Sequence, residues 1–172
     1  AFVFWNHPMW SAQSKDGVAR LSSMHKKFIA EGQLHGIEIV NEDTYSEEAF
    51  KIALENDLAL IGTSDVHDLI EWDYLTKKGE HRPVTLIFAK ERTIDSLREA
   101  LFQRRTAIWF KEILIGKEAN ILPLLNSIID IESTGYAKGT QILKVVLKNN
   151  SSALIQLKNL SAYTFFDSTN LG

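Results

Sequence analysis

The sequence predicts an α/β chain, with parallel strands joined by crossover helices, followed by a small β-rich module. Three observations predict it. Apolar runs of strand length alternate with helix-spaced segments through residues 1–125, the order that parallel pairing requires, because parallel strands need long crossovers. From residue 126 the helical spacing gives way to β-rich runs broken by a polar turn. The length of 172 residues, 45% hydrophobic and 24% charged, suits one medium globular domain with a small appendage. The expected division is therefore 1–125 for the α/β part and 126–172 for the β-rich module, incomplete at its end and possible to build as a small sandwich.

Residues 1–5, Ala-Phe-Val-Phe-Trp, read as a strand, stopped by His7-Pro8 because proline holds its predecessor in extended geometry. Val18, Leu21, Met24, Phe28 and Ile29 recur at helical spacing, which predicts a helix over 18–30 closed by Gly32. A strand follows over 36–40, then a turn at Asn41-Glu42-Asp43. Ser46 is placed to cap a helix over 47–55, with Ala49, Phe50, Ala53 and Leu54 inward. Leu58-Ala59-Leu60-Ile61 is a continuous apolar strand ended by Gly62-Thr63-Ser64. The polar stretch 68–82 reads as a long loop. Strand, helix and strand follow at 84–89, from Thr93 or Asp95 to Leu101, and at 106–110, with a short helix over 117–125. Beyond it, Ile128, Ile129 and Ile131 are strand-like, and runs 141–147 and 153–157 flank a turn at 148–152. Residues 163–166 read as a further short strand.

Composition removes several classes of chemistry. There is no cysteine, which excludes thiolate zinc sites, iron–sulfur clusters, disulfides and cysteine nucleophiles. The net charge of −3, from 19 basic and 22 acidic residues, gives no broad cationic surface for nucleic acid. No apolar run reaches the length of a membrane span, and no basic region precedes an apolar one as in a secretory signal. The compartment stays open. The apolar opening at Ala1–Phe4 reads as a strand whose preceding sequence has been removed, since natural termini tend to be polar and frayed. Dinucleotide, P-loop, zincin and nucleophile-elbow motifs are absent from the sequence.

What remains is a set of polar residues at strand ends, where parallel α/β folds place their sites. Asp65-x-His67 follows a buried strand. In an extended segment residues i and i+2 project to the same side, so a carboxylate and an imidazole there can reach neighbouring divalent ions such as Zn²⁺, Mn²⁺ or Fe²⁺. The plainer alternative is a helix-capping Asp beside a surface His. His7 ends the first strand and is either a ligand or an ordinary turn histidine. Glu38 lies inside an apolar strand, where a carboxylate needs a partner or a metal if buried; it could instead face solvent. Trp72, Tyr74, Trp10 and Trp109 are aromatics that could line a pocket, Trp72 and Tyr74 being the better pair because they follow the Asp-x-His segment; their plainer role is to pack its loop. His25, His35 and His81 read as a solvated helix residue, a turn residue and a residue at the wrong end of a strand.

Taken together, Trp5-Asn6-His7-Pro8, Gly36-Ile37-Glu38-Ile39-Val40-Asn41 and Gly62-Thr63-Ser64-Asp65-Val66-His67 resemble the later motifs of the PHP domain, the polymerase and histidinol phosphatase superfamily. Arg82 to Ala89, Ser96 to Leu101 and Arg105-Thr106 are similar to the end of such domains. The resemblance covers about residues 1–115. It implies a partial distorted β/α barrel, the later strand–helix units of a complete one. It further implies that His7, Asp65 and His67 are metal ligands, that Glu38 lies near the cluster, and that a complete site holds two or three divalent ions. The family's opening His-x-His strand, its Thr-Asp-His segment, its bridging glutamate and another histidine have no counterpart here. The rest of the site is then expected from a missing N-terminal half or an oligomeric partner, which would also cover the open barrel edge.

The function these readings favour is metal-dependent phosphoester hydrolysis, with activated water attacking phosphorus in a phosphorylated small molecule. The catalytic acid or base is not assignable from the sequence. Two alternatives stand beside it: a non-catalytic PHP-like scaffold or protein-interaction fragment, and an amidohydrolase-like metal hydrolase.

Overall fold

The computed structural model describes residues 1–153, 155, 157, 160, 162 and 163. The architecture is mixed α/β, with sheets that do not close into a barrel, followed by a smaller β-rich module. The chain divides into two compact units, Ala1–Ile121 and Leu122–Gly172.

The first unit is built on a sheet centred on β2 (Gly36–Asn41). On one side β2 pairs in parallel with β1 (Phe4–Trp5), on the other with β4 (Ala59–Thr63). The strand expected over residues 1–5 is thus only two residues long, although Val3 adds an anchor: its N–H donates to His35 Nδ1 at 3.0 Å. The turn expected at 41–43 is tighter than predicted. Glu42 takes φ +48, and β3 (Thr44–Tyr45) folds back antiparallel on the end of β2.

Two helices belong to this sheet. α1 (Ser23–Ala30) starts five residues later than its apolar spacing implies, because Ser22 caps it. Ser22 Oγ accepts the His25 N–H, and the His25 ring takes the Ser22 N–H in return, both at 3.3 Å. That reciprocal pairing satisfies two otherwise orphaned donors, and it outweighs the periodicity of Val18 and Leu21. α2 (Glu47–Glu55) begins at the Ser46 cap as expected, with Ala49, Ile52 and Ala53 buried.

After β4 the stretch 68–82 is a loop holding one short helix, α3 (Ile70–Asp73), and a 3₁₀ turn at Thr76–Lys78. Then β5 (Val84–Ile87), α4 (Ile94–Phe102, capped by Thr93) and β6 (Thr106–Phe110) follow. Here the parallel expectation fails. β5 pairs antiparallel with β6, and β6 antiparallel with β7 (Ile113–Gly116). The strand–helix–strand order is compatible with either direction, and a tight reversal at Lys111, φ +53, turns β6 directly into β7.

Threonine hydroxyls tie the two sheets together. Leu60 N–H donates to Thr106 Oγ1 at 3.1 Å. Thr85 Oγ1 accepts the Gly62 N–H and donates to the Gly62 carbonyl, both at 2.9 Å. These bonds satisfy the backbone of β4 on its otherwise unpaired side, as buried amides require. The core lies between them and the helices. It comprises Ile37, Ile39, Val40, Leu58, Leu60, Ile108 and Phe110, with Ala49 and Ala53 of α2.

α5 (Glu118–Ile128) connects to the second unit and carries Pro123 within it. In that unit β8 (Ile129–Tyr136) and β9 (Leu143–Asn149) form an antiparallel hairpin. The run predicted at 141–147 is therefore a strand, but its partner is β8, reached through the turn at Gly139, φ +74. Of the strands predicted over 153–157 and 163–166, residues 154, 156 and 164–166 lie outside the described residues.

Candidate functional site

The first unit brings three chain segments together at the C-terminal ends of its parallel strands. His7 lies two residues beyond β1, Asp65 two residues beyond β4, and Glu38 sits inside the central strand β2 between them. This follows from the register: β1 stops at Trp5 opposite Ile37, next to Glu38, while β2 and β4 run on together to the Asn41–Thr63 pair.

Glu38 is the buried member, with 1% of its side chain exposed. Its carboxylate is surrounded by donors. Oε2 accepts the His7 backbone N–H at 2.6 Å. Oε1 accepts the Thr63 hydroxyl at 2.6 Å and the Asn41 side-chain amide at 3.3 Å. His7 Nδ1 lies 3.2 Å from Oε2. These bonds answer the question its sequence position raised: it points inward and is satisfied by neighbours rather than by solvent.

Asn41 reaches this carboxylate because β2 is irregular. On a regular strand residues three apart face opposite sides. A bulge between Glu38 and Val40, where Val40 pairs with Gly62, turns Asn41 back toward Glu38. Asn41 also donates to Thr63 Oγ1 at 3.3 Å, and its amide nitrogen stands 3.1 Å from His7 Nδ1.

Above this buried layer sit the ligand-type side chains. His7 Nε2 is 3.8 Å from Asp65 Oδ1, and His67 Nε2 is 3.6 Å from the same oxygen. Exposure increases outward, from 26% for His7 to 34% for Asp65 and 84% for His67. Both His7, φ +52, and Asp65, φ +49, hold left-handed backbone conformations, which side chains other than glycine rarely adopt. Such outliers persist where surrounding structure over-determines them, and they concentrate at functional sites.

A cleft of about 620 Å³ opens over these residues, lined by His7, Asn41, Asp65 and His67 on its polar side and by Met9 and Trp10 on its apolar side. Trp10 is drawn there by a turn in which its N–H donates to the His7 carbonyl at 3.0 Å. Its ring meets the His7 ring edge-on, with centroids 6.1 Å apart. Trp72 is 71% exposed on α3 and is not among the residues lining this cleft.

The fit to a divalent ion follows from these distances. Bond lengths of about 2.0–2.2 Å in a tetrahedral shell put neighbouring donor atoms roughly 3.3–3.6 Å apart. The His67–Asp65 separation of 3.6 Å lies at the end of that range and the His7–Asp65 separation of 3.8 Å slightly beyond it. Among the described residues no group of three or more His, Asp or Glu forms a cluster able to hold a metal ion alone. The donor chemistry therefore fits as part of a ligand set, with one shared oxygen between two imidazoles.

Asn41, Thr63 and Met9 join the site without having been singled out from the sequence. Asn41 and Thr63 belong to the quoted motifs, but their convergence depends on the bulge. The remaining histidines are structural. His25 stacks on Trp5 with centroids 3.9 Å apart, His35 packs on Phe2 and Phe102, and His81 lies against Trp109.

Neither the protein-family models nor the curated proteins give a match to this chain. Among solved structures it is similar to a two-domain protein from Bacteroides vulgatus, described as containing a predicted PHP-like metal-dependent phosphoesterase. The two are 37% identical, with a TM-score of 0.83. The match covers 98% of this chain and 49% of that one, so the chain spans about half the length of its relative.

Proposed function

Because this chain belongs to the PHP-like family, we propose that it supplies His7, Asp65 and His67 to the metal centre of a metal-dependent phosphoesterase. The observation that carries the reading is the approach of His7 Nε2 and His67 Nε2 to one oxygen of Asp65, at 3.8 and 3.6 Å, where parallel strands end. A divalent ion such as Zn²⁺ or Mn²⁺ supplies Lewis-acid polarisation of a phosphoryl oxygen and activation of water when bound in such a site.

The chain's own residues have distinct tasks in this reading. The imidazoles of His7 and His67 present nitrogen donors, and Asp65 presents the anionic oxygen between them. Its charge also offsets that of the bound ions. Asn41 and Thr63 lie beneath and anchor the buried carboxylate on which His7 rests. Met9 and Trp10 form the cleft's apolar wall and would exclude water from one side of a bound phosphoester. The further ligands of a two- or three-metal cluster come, in this proposal, from outside these 172 residues.

The second reading, a PHP-like scaffold without turnover, is favoured by one observation: the described donors do not form a self-sufficient cluster. The experiment that separates the two is hydrolysis of an aryl phosphate by the full-length protein with added Mn²⁺ or Zn²⁺. Turnover abolished in Asp65→Asn, with unchanged thermal unfolding, supports the phosphoesterase. Turnover at the native rate in that variant contradicts it.

A further inference from the structure

The cleft over His7 and Asp65 has a wall that the three proposed ligands do not use. Trp10 forms its apolar part, and Ser11, Glu42 and Thr44 add polar groups. These residues come from two tight turns.

The first turn fixes Trp10 yet leaves its ring in the open. The Trp10 N–H donates to the His7 carbonyl at 3.0 Å, and the Trp10 carbonyl accepts the N–H groups of Gln13 and Ser14, both at 2.8 Å. The side chain is nevertheless 58% exposed. The second turn sorts two neighbouring carboxylates. Glu42, at φ +48, and Asp43 join β2 to β3, where Asn41 pairs with Thr44. Asp43 goes to Lys111, whose Nζ stands 3.3 Å from Oδ1. Glu42 lines the cleft instead. Its carboxylate, like the hydroxyls of Ser11 and Thr44, has no hydrogen-bond or ion-pair partner among the described residues. None of the described residues lining the cleft is Lys or Arg, whereas Glu42 and Asp65 are both acidic.

We propose that this wall is the subsite for the alcohol part of the phosphoester, and that this alcohol is a neutral sugar. The proposal rests on the metal-site reading above and names its substrate class. A sugar ring has a face of C–H groups and an edge of hydroxyls. The C–H face lies on the exposed indole, a large apolar surface. The hydroxyls donate to Glu42 and exchange hydrogen bonds with Ser11 and Thr44. A flat aryl group would use the indole alone and leave Glu42 without a partner. A second anionic group on the substrate would meet carboxylates and no cation on this wall, which disfavours it. The cleft, about 620 Å³, is of the size that small ligands fill. The Trp10 and His7 ring centroids are 6.1 Å apart, so a sugar on the indole keeps its phosphate beside His7. In the reaction water adds to phosphorus, the P–O bond to the sugar breaks, and a proton from that water ends on the released sugar oxygen.

The test compares kcat/KM in the full-length protein with Mn²⁺, for the 6-phosphates of glucose, mannose and galactose against ethyl phosphate. At least one hexose phosphate should exceed ethyl phosphate by about tenfold or more, and Trp10→Ala and Glu42→Ala should each cut that preference by about tenfold, through KM. Glucose 1,6-bisphosphate should be used less well than glucose 6-phosphate. No hexose preference, a preference that survives both substitutions, or equal use of the bisphosphate overturns the proposal. If Trp10→Ala does not fold, Glu42→Ala decides. Saturation-transfer NMR with the free sugars and metal-free protein separates this proposal from the phosphoesterase reading. A sugar saturated by the native protein but not by Glu42→Ala, with no ester turned over, upholds the subsite and removes the phosphoesterase. Ester turnover without hexose preference, and with no sugar saturated, does the reverse. Neither turnover nor saturation overturns both.

Discussion

His25 shows how a single side chain can carry a pH dependence without taking part in any site. Burial lowers its pKa from the ordinary imidazole value of 6.5, because desolvation disfavours the charged form. Its ring is stacked on Trp5, and its Nδ1 accepts the Ser22 N–H only when unprotonated. The unfolded chain therefore takes up the proton first as pH falls. The stability this residue contributes is complete above about pH 6.5 and declines as pH drops through the interval down to the lowered folded value. Denaturant titrations at pH 7.5 and in that lower interval should show the decline. His25→Gln keeps a capping acceptor three residues after Ser22 and should flatten it; an equal slope in both proteins would rule out His25 as its source.

Gly62 gives a steric counterpart. A Cβ built there would lie 2.5 Å from Cγ2 of Ile108, which is fully buried. Ile108 belongs to the core and cannot swing aside into solvent. Gly62→Ala should destabilise the first unit by about 1–3 kcal/mol, the usual cost of overpacking a filled core, read as a lowered denaturation midpoint. At this scale much of the candidate site was legible. His7, Asp65 and His67 each follow a strand, and Glu38 is a carboxylate in an apolar run, so their types and positions mark them. Proximity to Asp65 ranks Trp72 above Trp10, yet it is Trp10 that lines the cleft. A tight turn tied to the His7 carbonyl brings Trp10 into the cleft, and such a turn has no apolar periodicity to announce it.

Among the elements, those with both a cap and a periodic face were the most readable. Ser46 and Thr93 cap α2 and α4 as expected; in α2 Ala49 and Ala53 are buried as read, while Leu54, expected inward, is exposed and Ile52 is buried instead. α1 was read too long because the spacing of Val18 and Leu21 continues the helical pattern through residues that the Ser22–His25 capping box keeps out of the helix. The direction of β5, β6 and β7 was not readable at all. A helix between two strands permits a parallel crossover, but it also permits an antiparallel return when β6 reverses at once into β7. The β2 bulge was equally silent, since Gly36 to Val40 reads as an unbroken strand. Yet the bulge is what lets Asn41 and Glu38, three residues apart, share one hydrogen-bonded cluster. A regular β2 would separate them, and His7 would lose part of the layer that supports it.

At the scale of the whole molecule, the first unit has a continuous core from β2 and β4 through to β6, with both sheets joined by the hydroxyls of Thr85 and Thr106. Its sheets remain open, and its polar cleft lies at the ends of the parallel strands, as the strand order implied. The second unit was legible as β-rich and separate in character, and its described part is the β8–β9 hairpin. Among the described residues no helix is long and apolar enough to cross a membrane. The chain aligns over 98% of its length with 49% of its Bacteroides vulgatus relative, and the proposed reading takes the remaining metal ligands from outside these residues.

The most direct measurement is therefore the metal content of the full-length protein, by elemental mass spectrometry after growth with Mn²⁺ and Zn²⁺, compared between the native form and Asp65→Asn. Two or three divalent ions per protein, falling by at least one in Asp65→Asn while both forms unfold at the same temperature, is the result predicted. A native protein that holds no stoichiometric metal, or an Asp65→Asn variant that keeps its full complement, would contradict the assignment of His7, Asp65 and His67 as ligands.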